Sequence, residues 1–141
     1  MKKIKNIAYY CWSSFLWACY FGLLIHTYQL FKQKDIGTIV IIYLSIIATC
    51  IALAAICFQY SQVVESSKEI SVLTGKYFLI SVTYLIFSIT IISTLFVLEK
   101  ILLFDGKYFV VVFVTLFAVK IVDHFTKAII LLQKLFFTEE I

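Results

Sequence analysis

The chain of 141 residues is 63% hydrophobic and only 14% charged, with a mean hydropathy of +1.04. Soluble globular domains average about 45–50% apolar and about 25% charged residues, so the composition excludes an ordinary soluble domain. The net charge is +4, and all basic residues are lysines that are spread between apolar runs. A nucleic-acid-binding protein clusters its positive charge and uses arginine for bidentate contacts. We therefore expect the lipid bilayer, and no nucleic acid, as a partner.

Helices rather than strands are predicted throughout the chain, because it contains no proline and only 4 glycines. A membrane β-barrel would need segments of about 10 residues that alternate polar and apolar side chains, and the sequence shows no such alternation. We predict an all-α fold: an integral membrane bundle of four transmembrane helices with no soluble domain. Residues 1–141 then form a single four-span membrane domain, with spans at about 7–31, 36–60, 77–98 and 108–132.

The first apolar run, from Ile7 to Phe31, follows a basic N-terminal segment. The apolar region of a signal peptide is only about 7–15 residues long, so we interpret this run as a retained membrane span.

The second run has small and polar side chains on one helical face. Such spacing lets two helices approach closely in lipid, and we interpret the face as a packing seam, with a pore-lining face as the alternative. Ala52→Leu is then expected to disturb assembly more than Ala54→Leu on the opposite face. The seam comprises Ser45, Ala48, Thr49, Ala52, Ala55 and Gln59.

Residues 61–76 form the longest polar connection, and we place it in the cytoplasm. Apolar side chains recur there at helical spacing, so we expect the second helix to extend into water before Thr74 and Gly75 turn the chain. A second turn is expected at Asp105 and Gly106.

The fourth run is strongly apolar only from Tyr108 to Val119. Twelve residues cover about 18 Å, which is less than the hydrocarbon core of about 30 Å. The following residues must therefore enter the membrane. Four polar residues there are spaced i, i+3, i+4 and i+7, which places them on one helical face: Lys120, Asp123, His124 and Lys127.

Two interpretations of this polar face stay open. A charge inside a span costs at least about 2.5–3.5 kcal/mol on insertion scales, so such residues are functional candidates. They would line a cavity, a pore mouth or a subunit interface, and His124 could change charge near neutral pH. In the structural alternative, Lys120 extends to the headgroups and Asp123 neutralises Lys120 or Lys127.

The distribution of lysines predicts the orientation. With four spans, seven lysines lie on the side of both termini and four on the other side. Basic residues favour the cytoplasmic side, so we expect both termini in the cytoplasm and the protein in an inner or plasma membrane.

No catalytic, metal or cofactor site is expected. The four cysteines lie within apolar runs, where cysteine behaves as a small hydrophobic residue. His26 and His124 are predicted at opposite membrane faces, so they cannot share one ion. The sequence also has no zinc-protease motif, phosphate-binding loop or nucleophile elbow, and we expect no enzyme.

We therefore expect a homo-oligomeric ion channel or membrane-perturbing effector that uses the polar face of the fourth helix. A non-transporting accessory or assembly subunit of a larger membrane complex is the alternative. A small transporter comes third, because the sequence shows no broken helix and no internal repeat.

Overall fold

The computed structural model describes residues 2–137, and within that range the side chains of residue 3 and residues 6–137. This part of the chain is helical almost throughout, which confirms the predicted all-α class. Its helices are α1 (Lys2–Lys32), α2 (Ile36–Val63), α3 (Lys68–Leu102) and α4 (Lys107–Phe137), and a short 3-10 turn (Glu65–Ser67) joins α2 to α3. Each of the four helices is long and apolar enough to cross a membrane, as a membrane protein requires.

The strongest packing follows the order α2, α3, α4, α1. Helix α3 packs along both α2 and α4, and α1 packs mainly on α4. The Tyr20 hydroxyl on α1 donates a hydrogen bond to the Val114 carbonyl of α4 at 3.1 Å. Contacts between α1 and α2 are few, so the bundle is incompletely closed on that side.

Small side chains bring α3 close to its neighbours. Thr74, Ser81 and Ser88 are fully buried, and each hydroxyl donates a hydrogen bond to the carbonyl four residues earlier. These hydroxyls therefore need no partner on another helix. On α2 the buried face includes Ala54 and Cys57, which pack against Phe78 of α3 and Ala128 of α4 and so join three helices.

The seam predicted on α2 does not pack against a helix of the same chain. All six of its residues are exposed, whereas Ala54 on the opposite face is 1% exposed. For the fold of the single chain, this burial reverses the expected order: a larger side chain at Ala54 should disturb packing more than one at Ala52. Both faces of α2 are apolar and contain alanine. Small side chains therefore indicate that another helix can approach α2 closely, but they do not indicate which face of α2 it contacts. The exposed residues are Ser45, Ala48, Thr49, Ala52, Ala55 and Gln59.

The connection between α2 and α3 is shorter than the sequence predicts. Helix α2 ends at Val63 and α3 begins at Lys68, so the predicted turn at Thr74 and Gly75 is wrong: both residues are buried inside α3. A Cβ on Gly75 would lie 2.9 Å from the Phe58 ring of α2. The glycine therefore permits close packing rather than a turn.

Two tight turns close the opposite end of the bundle. At the first, the Asp35 carboxylate accepts hydrogen bonds from the Thr38 hydroxyl at 2.7 Å and the Thr38 N–H at 3.1 Å, and so caps α2. Those hydrogen bonds hold the pKa of Asp35 below its ordinary value. At the second turn, Asp105 pairs with the Lys107 ammonium at 2.7 Å, which lowers the pKa of Asp105. The expected turn at Asp105 and Gly106 is confirmed.

Candidate functional site

The four polar residues predicted on one face of α4 do lie on one continuous helix. Lys120 is thirteen residues beyond the start of α4, which at 1.5 Å per residue is about 20 Å along the helix. The structure separates the four by their contacts: Asp123, His124 and Lys127 contact neighbouring side chains, whereas Lys120 faces outward.

Asp123 joins α4 to α1. Its carboxylate accepts a hydrogen bond from the Tyr9 hydroxyl at 3.1 Å and another from the Lys127 ammonium at 2.7 Å. Lys127 also lies 5.9 Å from the centre of the Tyr77 ring on α3, within the range of a cation–π contact. Of the two lysines considered as partners for Asp123, Lys127 is therefore the one that neutralises it.

His124 packs between α4 and α3. Its ring centre lies 5.8 Å from those of both Tyr77 and Tyr84. Its Nδ1 atom is 2.6 Å from the Lys120 carbonyl oxygen. Because a carbonyl oxygen can only accept, Nδ1 carries the proton in this arrangement, and His124 serves as a packed neighbour of two tyrosines.

Lys120 differs from the other three residues. Its side chain is exposed, and its ammonium has no hydrogen-bond or ion-pair partner among the described side chains, those of residue 3 and residues 6–137. The Cα–Cβ bonds of a helix tilt toward its N-terminus, so the Lys120 side chain starts out in the direction of the middle of the span. A positive charge is thereby presented on the outer surface of the bundle within the spanning part of α4.

The tyrosines around Asp123 and His124 were not singled out by sequence reasoning. One signal could have found Tyr9: α1 and α4 are antiparallel, so a phenol near the start of α1 lies level with a carboxylate near the end of α4. Tyr77 had no comparable signal, because its contact depends on how α3 rotates about its own axis.

A recess of about 390 Å³ adjoins this network between α1, α3 and α4. It is lined by Asn6, Tyr9, Leu73, Tyr77 and Lys127, together with two apolar residues further along α4. Its polar groups lie near the end of the bundle that contains the α2–α3 turn. Because Lys127 is already paired with Asp123, the recess presents little net charge.

The histidines and cysteines are dispersed. His26 lies six residues beyond Tyr20 on α1, on the side away from the Tyr9–Asp123 contact, so it is far along the bundle from His124. Cys50 and Cys57 are buried as expected, but Cys11 and Cys19 are exposed on α1. Among the described residues no group of three or more potential metal-binding side chains comes together.

No protein-family model matches the chain, and no curated protein or solved structure is significantly similar to it. What the protein does is therefore inferred from its charges, its cavities and its exposed faces.

Proposed function

We propose that the protein is a homo-oligomeric channel of an inner or plasma membrane, in which the outer face of α4 around Lys120 lines a water-filled path between subunits. The observation that carries this proposal is the exposed ammonium of Lys120 in the spanning part of α4, which pairs with no side chain in the described part of the protein.

The cost of that charge is the first support. A lysine facing hydrocarbon costs about 2.5–3.5 kcal/mol or more. Extension to the headgroups would reduce the cost, but the nearer interface lies toward the C-terminal end of α4, and the Cα–Cβ bond of Lys120 tilts the other way. Asp123 offers no relief, because among the described residues its carboxylate pairs with Lys127 and not with Lys120. Water between copies of the chain would solvate Lys120 without moving it.

The exposed face of α2 is the second support, because it offers a surface for association. Ala48, Ala52 and Ala55 are exposed there and small enough for a neighbouring helix to approach closely. The hydroxyls of Ser45 and Thr49 donate to their own helix, at 2.8 and 2.9 Å, so a dry contact leaves these two hydroxyls satisfied. We assign this face to contact between copies.

The alternative functions make different demands on the same surface. An accessory subunit would satisfy Lys120 with a carboxylate of a foreign subunit, and that subunit would co-purify in mild detergent. A membrane-perturbing effector would form the same oligomer and depolarise the cell that makes it. A small transporter is disfavoured, because α1 to α4 run without the interruptions that form midplane binding sites.

The test is planar-bilayer current from the purified protein. The wild type is expected to conduct, and Lys120→Ala to change the unit conductance while the oligomeric mass and the thermal melt stay the same. Lys68→Ala is the matched control, since Lys68 is exposed at the start of α3, outside the proposed path. The channel proposal would be contradicted if the wild type carried no current, or if a stable Lys120→Ala variant had the same unit conductance as the wild type.

A further inference from the structure

A second, apolar cavity lies beside α1, where this helix leaves the bundle incompletely closed. Because α1 packs mainly on α4 and contacts α2 only slightly, a cleft of about 460 Å³ remains between α1 and α2. It receives side chains from all four helices, including Leu23 of α1, Ile46 of α2, Leu85 of α3 and Ile121 of α4. Along α1 it runs from Leu16 to His26, which is about 15 Å, or roughly half of the hydrocarbon core.

The chemistry of this cleft excludes water as its occupant. The Tyr20 hydroxyl, which is one of its few polar groups, is already bonded to the Val114 carbonyl. An ordered buried water needs two to four polar partners, and apolar cavities without them stay dry and take up apolar molecules. The other polar ring in the lining is the imidazole of His26, at one end of the cleft.

The cleft opens onto the outer surface of α1. Cys19 and Gly22 on its rim are both exposed, and a Cβ built on Gly22 would have no atom within 4 Å. At this depth the medium around the helices is lipid hydrocarbon, so the cleft is continuous with the lipid-facing surface. Its volume lies within the range of about 300–1,000 Å³ found for ligand pockets.

We propose that this cleft binds one acyl chain of a phospholipid, which completes the bundle between α1 and α2. A helix from a second copy is too large to enter, because a cylinder 10 Å wide and 15 Å long occupies roughly 1,200 Å³. An acyl chain is linear, uncharged and abundant at this depth, and it matches the length and the apolar lining of the cleft. This inference depends on the membrane-spanning fold and not on the proposed channel.

Photo-crosslinking tests the proposal. The full chain is reconstituted with a phospholipid that has a diazirine on its acyl chain, irradiated, and mapped by mass spectrometry. We expect labels on cleft residues such as Leu23, Ile46 and Ile121, in addition to labels on outward-facing residues of α2 such as Ile41. Gly22→Leu starts its side chain in open space at the rim, so it should obstruct the cleft and abolish the cleft labels, while the label on Ile41 persists.

Ala18→Leu is the matched control, because Ala18 is exposed on the same helix and does not line the cleft. Cys19→Phe on the rim is a second filling variant, in case Gly22→Leu fails to fold. Labels confined to outward-facing residues in the wild type, or cleft labels that persist in both filled variants, would overturn the proposal. The proposal would also be overturned if a diazirine fatty acid labelled the cleft residues and the diazirine phospholipid did not.

Discussion

At the scale of single residues, the Asp123 side chain links α4 to neighbouring helices. Its carboxylate receives a phenol from α1 and an ammonium from its own helix, and that ammonium lies over an aromatic ring of α3. A charge pair exposed to water contributes about 0–1 kcal/mol. Within a membrane its removal matters more, because the remaining charge finds less water to solvate it. We therefore assign Asp123 and Lys127 to holding the bundle together and leave Lys120 as the residue that faces the proposed path.

The Asp123 link predicts a stability change that its partner can reverse. Asp123→Ala leaves the Lys127 ammonium and the Tyr9 hydroxyl without an acceptor, and should lower the free energy of unfolding by about 1–3 kcal/mol. Adding Lys127→Ala should restore much of the loss. Thermal melts of the single and double variants in one detergent measure both effects. Equal stabilities of the wild type and Asp123→Ala would show that the link contributes nothing.

Asp35 predicts a dependence on pH at the opposite end of the bundle. Its pKa is lowered in the folded protein by the Thr38 hydrogen bonds, so its stabilising contribution is fully present above the unfolded pKa of about 3.9. The contribution is lost as the pH falls through the lower folded value. Asp35→Asn keeps a helix cap but has no charge to lose. The difference in melting temperature between the wild type and Asp35→Asn should therefore change between about pH 6 and about pH 3. A constant difference would contradict this role.

At the scale of whole helices, α2 has two apolar faces with different neighbours. The face that contains Ala54 is buried against α3 and α4, and the face that contains Ala52 is exposed. Ala54→Leu overpacks a closed contact and should destabilise the fold by about 1–3 kcal/mol. Ala52→Leu should leave the fold intact and weaken association between copies.

Thermal melts and size measurements in mild detergent separate these two effects. If Ala52→Leu lowers the melting temperature of the monomer as much as Ala54→Leu does, the assignment of the two faces is wrong. If Ala52→Leu leaves the oligomer unchanged, the proposed contact between copies is not on α2.

The sequence determines which segments are helical better than it determines how the helices meet. Apolar runs long enough to cross a bilayer predict the first three helices, and a shorter run that continues into polar residues predicts the fourth. The four-residue spacing predicts that Asp123 and Lys127 share a face of α4. The sequence does not distinguish the two faces of α2, because lipid and protein neighbours both accept apolar side chains. The sequence also predicts a turn near Gly75 where the chain is helical. A glycine that makes room for the Phe58 ring of another helix cannot be distinguished, in the sequence, from a glycine that turns the chain.

At the scale of the whole molecule, the four antiparallel helices place the start of α1 and the end of α4 at the end of the bundle that contains the α2–α3 turn. The excess of lysines at this end predicts that it is cytoplasmic. Reporter fusions after Lys5, Ser67 and Ile141 should all report the cytoplasm, and fusions near Lys34 and Gly106 the opposite side. A reporter at Ser67 on the outer side would contradict four spans with this orientation.

The central claim is that the outer face of α4 around Lys120 meets water between copies of the chain, and cysteine accessibility tests it most directly. The exposed Cys11 and Cys19 are first replaced by serine, while the buried Cys50 and Cys57 are kept. A water-soluble, membrane-impermeant thiol reagent is then applied to the reconstituted Lys120→Cys variant during current recording. Val119→Cys is the control, because Val119 is also exposed but points about 100° away around the helix. We expect the cysteine at position 120 to react and the current to change, with little reaction at position 119. An unreactive cysteine at position 120, or equal reaction at both positions, would contradict the account.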